Sequence, residues 1–115
     1  MKKLLLSLFI LLPLMVMAEE YSGTTGDCTW TLDTETGVMT ISGEGSMDNY
    51  DSWTRPQWSG KKSYIQSISI NNGVTKIGNY SFYECKNLTS VNIPESVTDI
   101  GEYAFSYYLE TSKLP

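Results

Sequence analysis

IQSISINNGVTKIGNYSFYECKN, residues 65–87, runs directly into LTSVNIPESVTDIGEYAFSYYLE, residues 88–110, and this pair of stretches decides the architecture of the chain. Laid one over the other they repeat with a period of 23. Ile65 matches Leu88, Ile68 matches Val91, Ile70 matches Ile93, Val74 matches Val97 and Ile77 matches Ile100, followed by Gly78 with Gly101, Tyr80 with Tyr103 and Phe82 with Phe105. Eight matches at one offset mark an array whose copies bury their apolar faces against one another. In each copy the last two residues of an apolar trio (Ile68 and Ile70, or Val91 and Ile93) flank a polar one, Ser69 or Asn92. That alternation predicts a short strand with one face buried and the other presented to solvent. Val74 and Ile77, or Val97 and Ile100, are then expected to point back inward. Gly78 and Gly101 are expected to permit a sharp bend, after which Tyr80 with Phe82, or Tyr103 with Phe105, fills the coil with aromatic bulk.

The opening trio has the L-x-x-L-x-L spacing of a leucine-rich repeat. More specifically, residues 73–105, GVTKIGNYSFYECKNLTSVNIPESVTDIGEYAF, resemble the repeat of BspA-type leucine-rich-repeat surface proteins. That repeat runs V-x-I-P, then S-V-T-x-I-G, then A-F-x-x-C-x-x-L. Val91, Ile93, Pro94, Ser96, Val97, Thr98, Ile100, Gly101, Ala104 and Phe105 fit it, as do Phe82, Cys85 and Leu88. Residues 26–50, GDCTWTLDTETGVMTISGEGSMDNY, resemble the region that precedes such arrays. Their own pattern predicts a hairpin, with Trp30 and Leu32 before a turn at residues 33–37 and Val38, Thr40 and Ile41 after it. Residues 51–60, carrying Trp53, Pro56 and Trp58, follow as a loop, and Lys61 and Lys62 lead into the first repeat strand.

The expected fold is therefore mainly β: a leucine-rich-repeat solenoid of 23-residue repeats with an N-terminal β-hairpin cap, preceded by a signal peptide. The leader is expected at residues 1–18, because Lys2 and Lys3 precede an apolar run and Val16 and Ala18 supply small residues before a cleavage point. The run is shorter than the roughly 20 apolar residues a spanning helix needs, and Pro13 interrupts it. No membrane span is expected after cleavage. The cap is expected at residues 19–62, covering the apolar end of the array. Two repeats occupy 63–110, and 111–115 is a truncated tail. A third copy would need an apolar residue at 111, where Thr111 stands, and although Leu114 suits the next position the array is expected to be cut short.

Setting Lys2 and Lys3 aside leaves six basic residues against thirteen acidic ones, a net charge of −7. Nucleic acid, whose phosphates reward basic patches, is excluded as a partner on that balance. No histidine is present, which removes the commonest general base and transition-metal ligand. No cofactor and no enzymatic role are expected. Glu44, Asp48 and Asp51 lack the spacing of a calcium loop and read as a solvated loop. Trp30, Trp53 and Trp58 could form a sugar-stacking platform, but packing inside the cap is the preferred reading. Cys28 and Cys85 would close a long loop if bridged, and in an exported chain they could be oxidised. The sequence leaves open whether they meet.

A solenoid presents a continuous polar face on which side chains can vary without disturbing the coil. Ser67, Ser69, Asn71, Ser90 and Asn92 are the residues expected on it. The resemblance implies a secreted or cell-surface module that binds a host or matrix protein, with a glycan as the lesser alternative. A structural remnant of a longer array, without independent function, is the competing expectation. Self-association through the carboxy-terminal edge is also expected, since that edge has no successor to cover it.

Overall fold

The structure, a computed structural model, describes residues 19–106. The expected leader, the tail at 111–115 and the last four residues of the second repeat lie outside the described residues. Strand β1 is Glu20–Thr25, β2 is Cys28–Asp33 and β3 is Val38–Gly43. They pair antiparallel in sequence order, with Thr25 opposite Cys28 and Asp33 opposite Val38. The turn between β2 and β3 forms because the Asp33 carboxylate accepts the amides of Glu35 and Thr36, and because Gly37 adopts a φ of 75°. An aspartate opening such a turn and a glycine closing it are the residues this geometry requires.

From β3 onward the pairing becomes parallel. Strand β4 is Gly45–Ser46, β5 is Ser67–Ile70, β6 is Val74–Ile77, β7 is Ser90–Asn92 and β8 is Asp99–Ile100. One sheet has the order β1-β2-β3-β5-β7 and the other β4-β6-β8. Ser67 pairs with Ser90 in the first sheet and Lys76 with Asp99 in the second, both 23 residues apart. The repeat period is thus the inter-coil register. In the first repeat Val74 and Ile77 are fully buried, as expected, together with Ile65 and Phe82, and so is Leu88 at the start of the second.

The structure holds a further coil that the sequence comparison does not reveal. β3 and β4 pair with β5 and β6 just as these pair with β7 and β8, so residues 38–66 wind as a longer, degenerate coil ahead of the two repeats. Met39 and Ile41 stand beside Ile68 and Ile70 in the core, and the Trp58 indole stacks on Phe82 as Phe82 stacks on Phe105. The amides show where the coil is stretched. Tyr50 N donates to Asn79 O as Tyr80 N donates to Glu102 O, so Tyr50 corresponds to Tyr80. Seven residues then lie between Tyr50 and Trp58, against one between Tyr80 and Phe82, which places a six-residue insertion within 51–57.

Several expectations are corrected. The antiparallel unit has three strands, since β1 precedes the expected hairpin. Val38, Thr40 and Ile41 do lie in one strand, β3, whose core residues are Met39 and Ile41 while Val38 and Thr40 face outward. Lys61 and Lys62 lie in a 3-10 helix, Ser59–Tyr64, rather than in an extended lead-in. Gly78 and Gly101 do not make the bend: the left-handed residues there are Tyr80 at φ 59° and Tyr103 at φ 56°. The glycines allow coils to approach, since a Cβ on Gly78 would overlap the Asp48 carbonyl oxygen and one on Gly101 the backbone of Asn79. On the pairing that the sequence left open, Cys28 and Cys85 are both free and buried, with no bridge between them. Cys28 Sγ instead donates to Gly45 O at 3.6 Å. Burial holds both thiols neutral: it raises Cys28, with Asp27 adding to the effect, and pushes Cys85 up to about 12 against the opposing pull of Lys62.

Candidate interaction face

Alternation along five paired strands divides the first sheet into an apolar inner side and a polar outer one. In β2 the residues Cys28, Trp30 and Leu32 are buried, so Thr29, Thr31 and Asp33 point away from the core. Cross-strand pairing carries that distinction to every neighbour. Ser22 lies beside Thr31, Thr31 beside Thr40, Thr40 beside Ser69, and Ser69 beside Asn92. A second row runs from Thr24 through Thr29 to Ser42, whose Oγ accepts a 2.9 Å hydrogen bond from Asn71 Nδ2. The third row holds Glu20, Asp33, Val38, Ser67 and Ser90, so charge is confined to its β1–β2 end.

Ser67, Ser69, Asn71, Ser90 and Asn92 stand on this outer side. Ser67 and Ser69 are half-buried between neighbouring strands, whereas Asn71, Ser90 and Asn92 are exposed. Nine residues that sequence reasoning did not assign join them: Glu20, Ser22, Thr24, Thr29, Thr31, Asp33, Val38, Thr40 and Ser42. A signal for two of these was present in residues 29–32, T-W-T-L, where hydroxyl and apolar side chains alternate. The register that aligns them with the repeats was not, because a 29-residue offset separates β3 from β5.

Spacing and composition set what such a face can do. Strands about 4.8 Å apart with same-face residues about 6.7 Å apart give each side chain roughly 32 Å². Fourteen such positions amount to about 450 Å², roughly half of the ~800 Å² each partner contributes to a standard protein interface. The first two of these rows carry hydroxyls and amides that donate and accept, but no aromatic ring and no arginine, the side chains that dominate binding hot spots. A partner must therefore bring its own anchors, and a single contact on this face is weak.

The tryptophans are divided between two environments. Trp30 and Trp58 are buried and meet edge to face at 5.3 Å, while Trp53 is 92% exposed on the inserted loop. They do not form one platform. Among the described residues no helix is long and apolar enough to cross a membrane.

Comparison with known proteins follows the same division of the chain. A family model described as a BspA type leucine rich repeat region, in six copies, matches residues 59–115. The crystal structure of a leucine-rich repeat protein from Eubacterium ventriosum ATCC 27560 superposes with a TM-score of 0.72 at 31% identity, covering 78% of this chain and 24% of that one. The present chain thus spans about a quarter of that protein's length. No curated protein matches it.

Proposed function

We propose that this chain, which carries a BspA-type leucine-rich repeat region, is an exported binding module that engages a host or matrix protein through the outer face of its five-stranded sheet. The observation that carries this reading is the continuity of the face. Antiparallel and parallel strands alike present serine, threonine or asparagine outward, so the amino-terminal unit extends the repeat surface as well as sheltering its first coil. Repeats of this family are typically non-enzymatic binding modules. The limited area favours micromolar contacts strengthened by many copies on one surface.

Export rests on the charged start, the apolar run and the small residues at 16 and 18. Protein recovered from its native host is expected to begin at Glu19 by mass spectrometry, and an intact residue 1–18 segment on membrane-embedded protein would refute the cleavage. Binding is tested on a panel of immobilised extracellular-matrix proteins. Ser69→Lys with Asn92→Lys should change affinity for any member that binds, with the fold intact by circular dichroism. Unchanged affinity would show that another surface is used. A second reading, a segment of a longer array without independent function, draws on the outer edges of β7 and β8, which have no strand beside them among the described residues.

A further inference from the structure

The six inserted residues of the first coil build something that the regular coils lack. Between this loop and the turn of the next coil lies a pocket of about 160 Å³, on a different flank from the sheet face. Trp58, Tyr80 and Tyr83 are among the residues that line it, and Asp51, Arg55 and Lys62 supply its charges. Two of those charges are already committed. Asp51 Oδ1 accepts the amides of Trp53 and Thr54 at 2.8 and 2.7 Å, which holds its carboxyl below the usual range, and Lys62 Nζ lies 3.1 Å from Glu84. Arg55 makes no ion pair and no side-chain hydrogen bond among the described residues.

Arg55 thus leaves the pocket with a cation that has no carboxylate partner among the described residues. Its planar fork of five donors matches a carboxylate. The volume compares with the roughly 150 Å³ cavity that accommodates one benzene ring, and the pocket is open to solvent, so it holds the carboxylate and part of one sugar ring while the rest of the ligand stays in water. Tyr80 and Tyr83, whose ring centroids lie 5.2 Å apart, add aromatic surface to the lining, while Ser52 and Ser59 add hydroxyls that can exchange hydrogen bonds with ring hydroxyls. Trp53, on the same loop two residues before Arg55, holds its indole almost wholly in solvent. We propose that this pocket binds an acidic monosaccharide unit, a hexuronic or nonulosonic acid, with Arg55 holding its carboxylate.

The full chain is titrated with glucuronate, galacturonate and N-acetylneuraminate, with glucose and galactose as neutral counterparts, and with acetate and N-acetylglutamate as carboxylates lacking the ring. Binding is read from amide shifts at residues 51–59 and 80–85 and from tryptophan fluorescence. At least one acidic sugar should bind in the millimolar range, at least tenfold tighter than the neutral sugars and both other carboxylates. Arg55→Ala should weaken it at least tenfold and Arg55→Lys by less, with unchanged melting temperature because the side chain is exposed. The sheet-face substitutions Ser69→Lys and Asn92→Lys should leave it unaltered, which separates this site from the proposed protein-binding face. Equal binding of acetate would make the pocket a plain anion site, and equal binding of N-acetylglutamate would make it a peptide site. Either result overturns the proposal, as does an affinity indifferent to Arg55→Ala or the absence of acidic-sugar binding.

Discussion

The indole of Trp58 lies over the ring of Phe82, their centroids 5.7 Å apart and their planes inclined by 23°, and its Nε1 donates to the Ser81 carbonyl at 2.9 Å. Phe82 in turn stacks on Phe105 at 5.5 Å and 20°. One aromatic column therefore ties the stretched first coil to both repeats. Removing a buried tryptophan costs about 3–5 kcal/mol through lost transfer energy and the cavity left behind. Trp58→Ala should lower stability by that amount in urea titrations, and Trp58→Phe by less, since it keeps the stack and loses the hydrogen bond. A cost below 1 kcal/mol for the alanine variant would show that the column does not couple the coils.

Gly78 and Gly60 separate packing from backbone freedom, because neither has a positive φ. A Cβ at Gly78 meets the Asp48 carbonyl of the coil before it, whereas one at Gly60 meets nothing within 4 Å. Gly78→Ala should force adjacent coils apart and cost about 2 kcal/mol or more, in the range of overpacking. Gly60→Ala should be neutral within about 0.5 kcal/mol. Thermal melts of both variants decide the matter, and equal melting temperatures would remove inter-coil approach as the reason for the repeated glycine.

Cys85 shows how burial becomes pH dependence. Its thiol is held neutral up to about 12 in the folded chain, against 9.0 for a free thiol, mainly by desolvation. A raised pKa means that full stability holds below pH 9 and is lost as pH climbs towards 12, because the unfolded chain releases the proton first. Each pH unit inside that window costs about 1.4 kcal/mol from this group. Cys85→Ala should therefore flatten the fall of stability between pH 9 and 11, whatever it does to stability at pH 7. A slope identical to that of the parent would refute the assignment. A thiol reagent at pH 8 should label neither cysteine until the chain unfolds.

The two repeats were legible because their apolar residues keep one period and each period equals one coil. Ile68, Ile70, Val74 and Ile77 announce their burial by spacing alone. The first coil was hidden for a physical reason: its core contacts tolerate Met39 for an isoleucine and Trp58 for a phenylalanine, and its loop absorbs six extra residues without moving either end. Gly78 was noticed but explained wrongly, since chain proximity between coils leaves no trace in a local pattern while bend propensity does. On the face, Ser67, Ser69, Asn71, Ser90 and Asn92 followed from alternation. Thr29, Thr31 and Thr40 required the cross-strand register, which sequence does not state. The Arg55 pocket was out of reach altogether, because it forms between segments about 25 residues apart.

The outer edge of the last coil is the remaining place where the structure foretells behaviour. Ile68, Ile70 and Ile77 in the first repeat are at most 2% exposed, yet in the second Val91 and Ile93 are only half-buried and Ile100 is 49% exposed. The difference measures what a following coil would cover. Full burial of such a side chain is worth about 1.5–3 kcal/mol, so each forfeits roughly 1 kcal/mol at an open edge, beside the outer side of β7, which has no partner strand among the described residues. The 19–115 chain should therefore self-associate through this edge, with light scattering rising with concentration. Ile100→Lys should suppress the association by placing a charge in it, without much loss of monomer stability, since that side chain is already half in solvent. Two added consensus repeats should abolish association and raise the melting temperature, as expected when nearest-neighbour stacking is the stabilising unit. A chain that stays monomeric at high concentration and melts as high as the extended form would mean that residues beyond 106 already cover the edge.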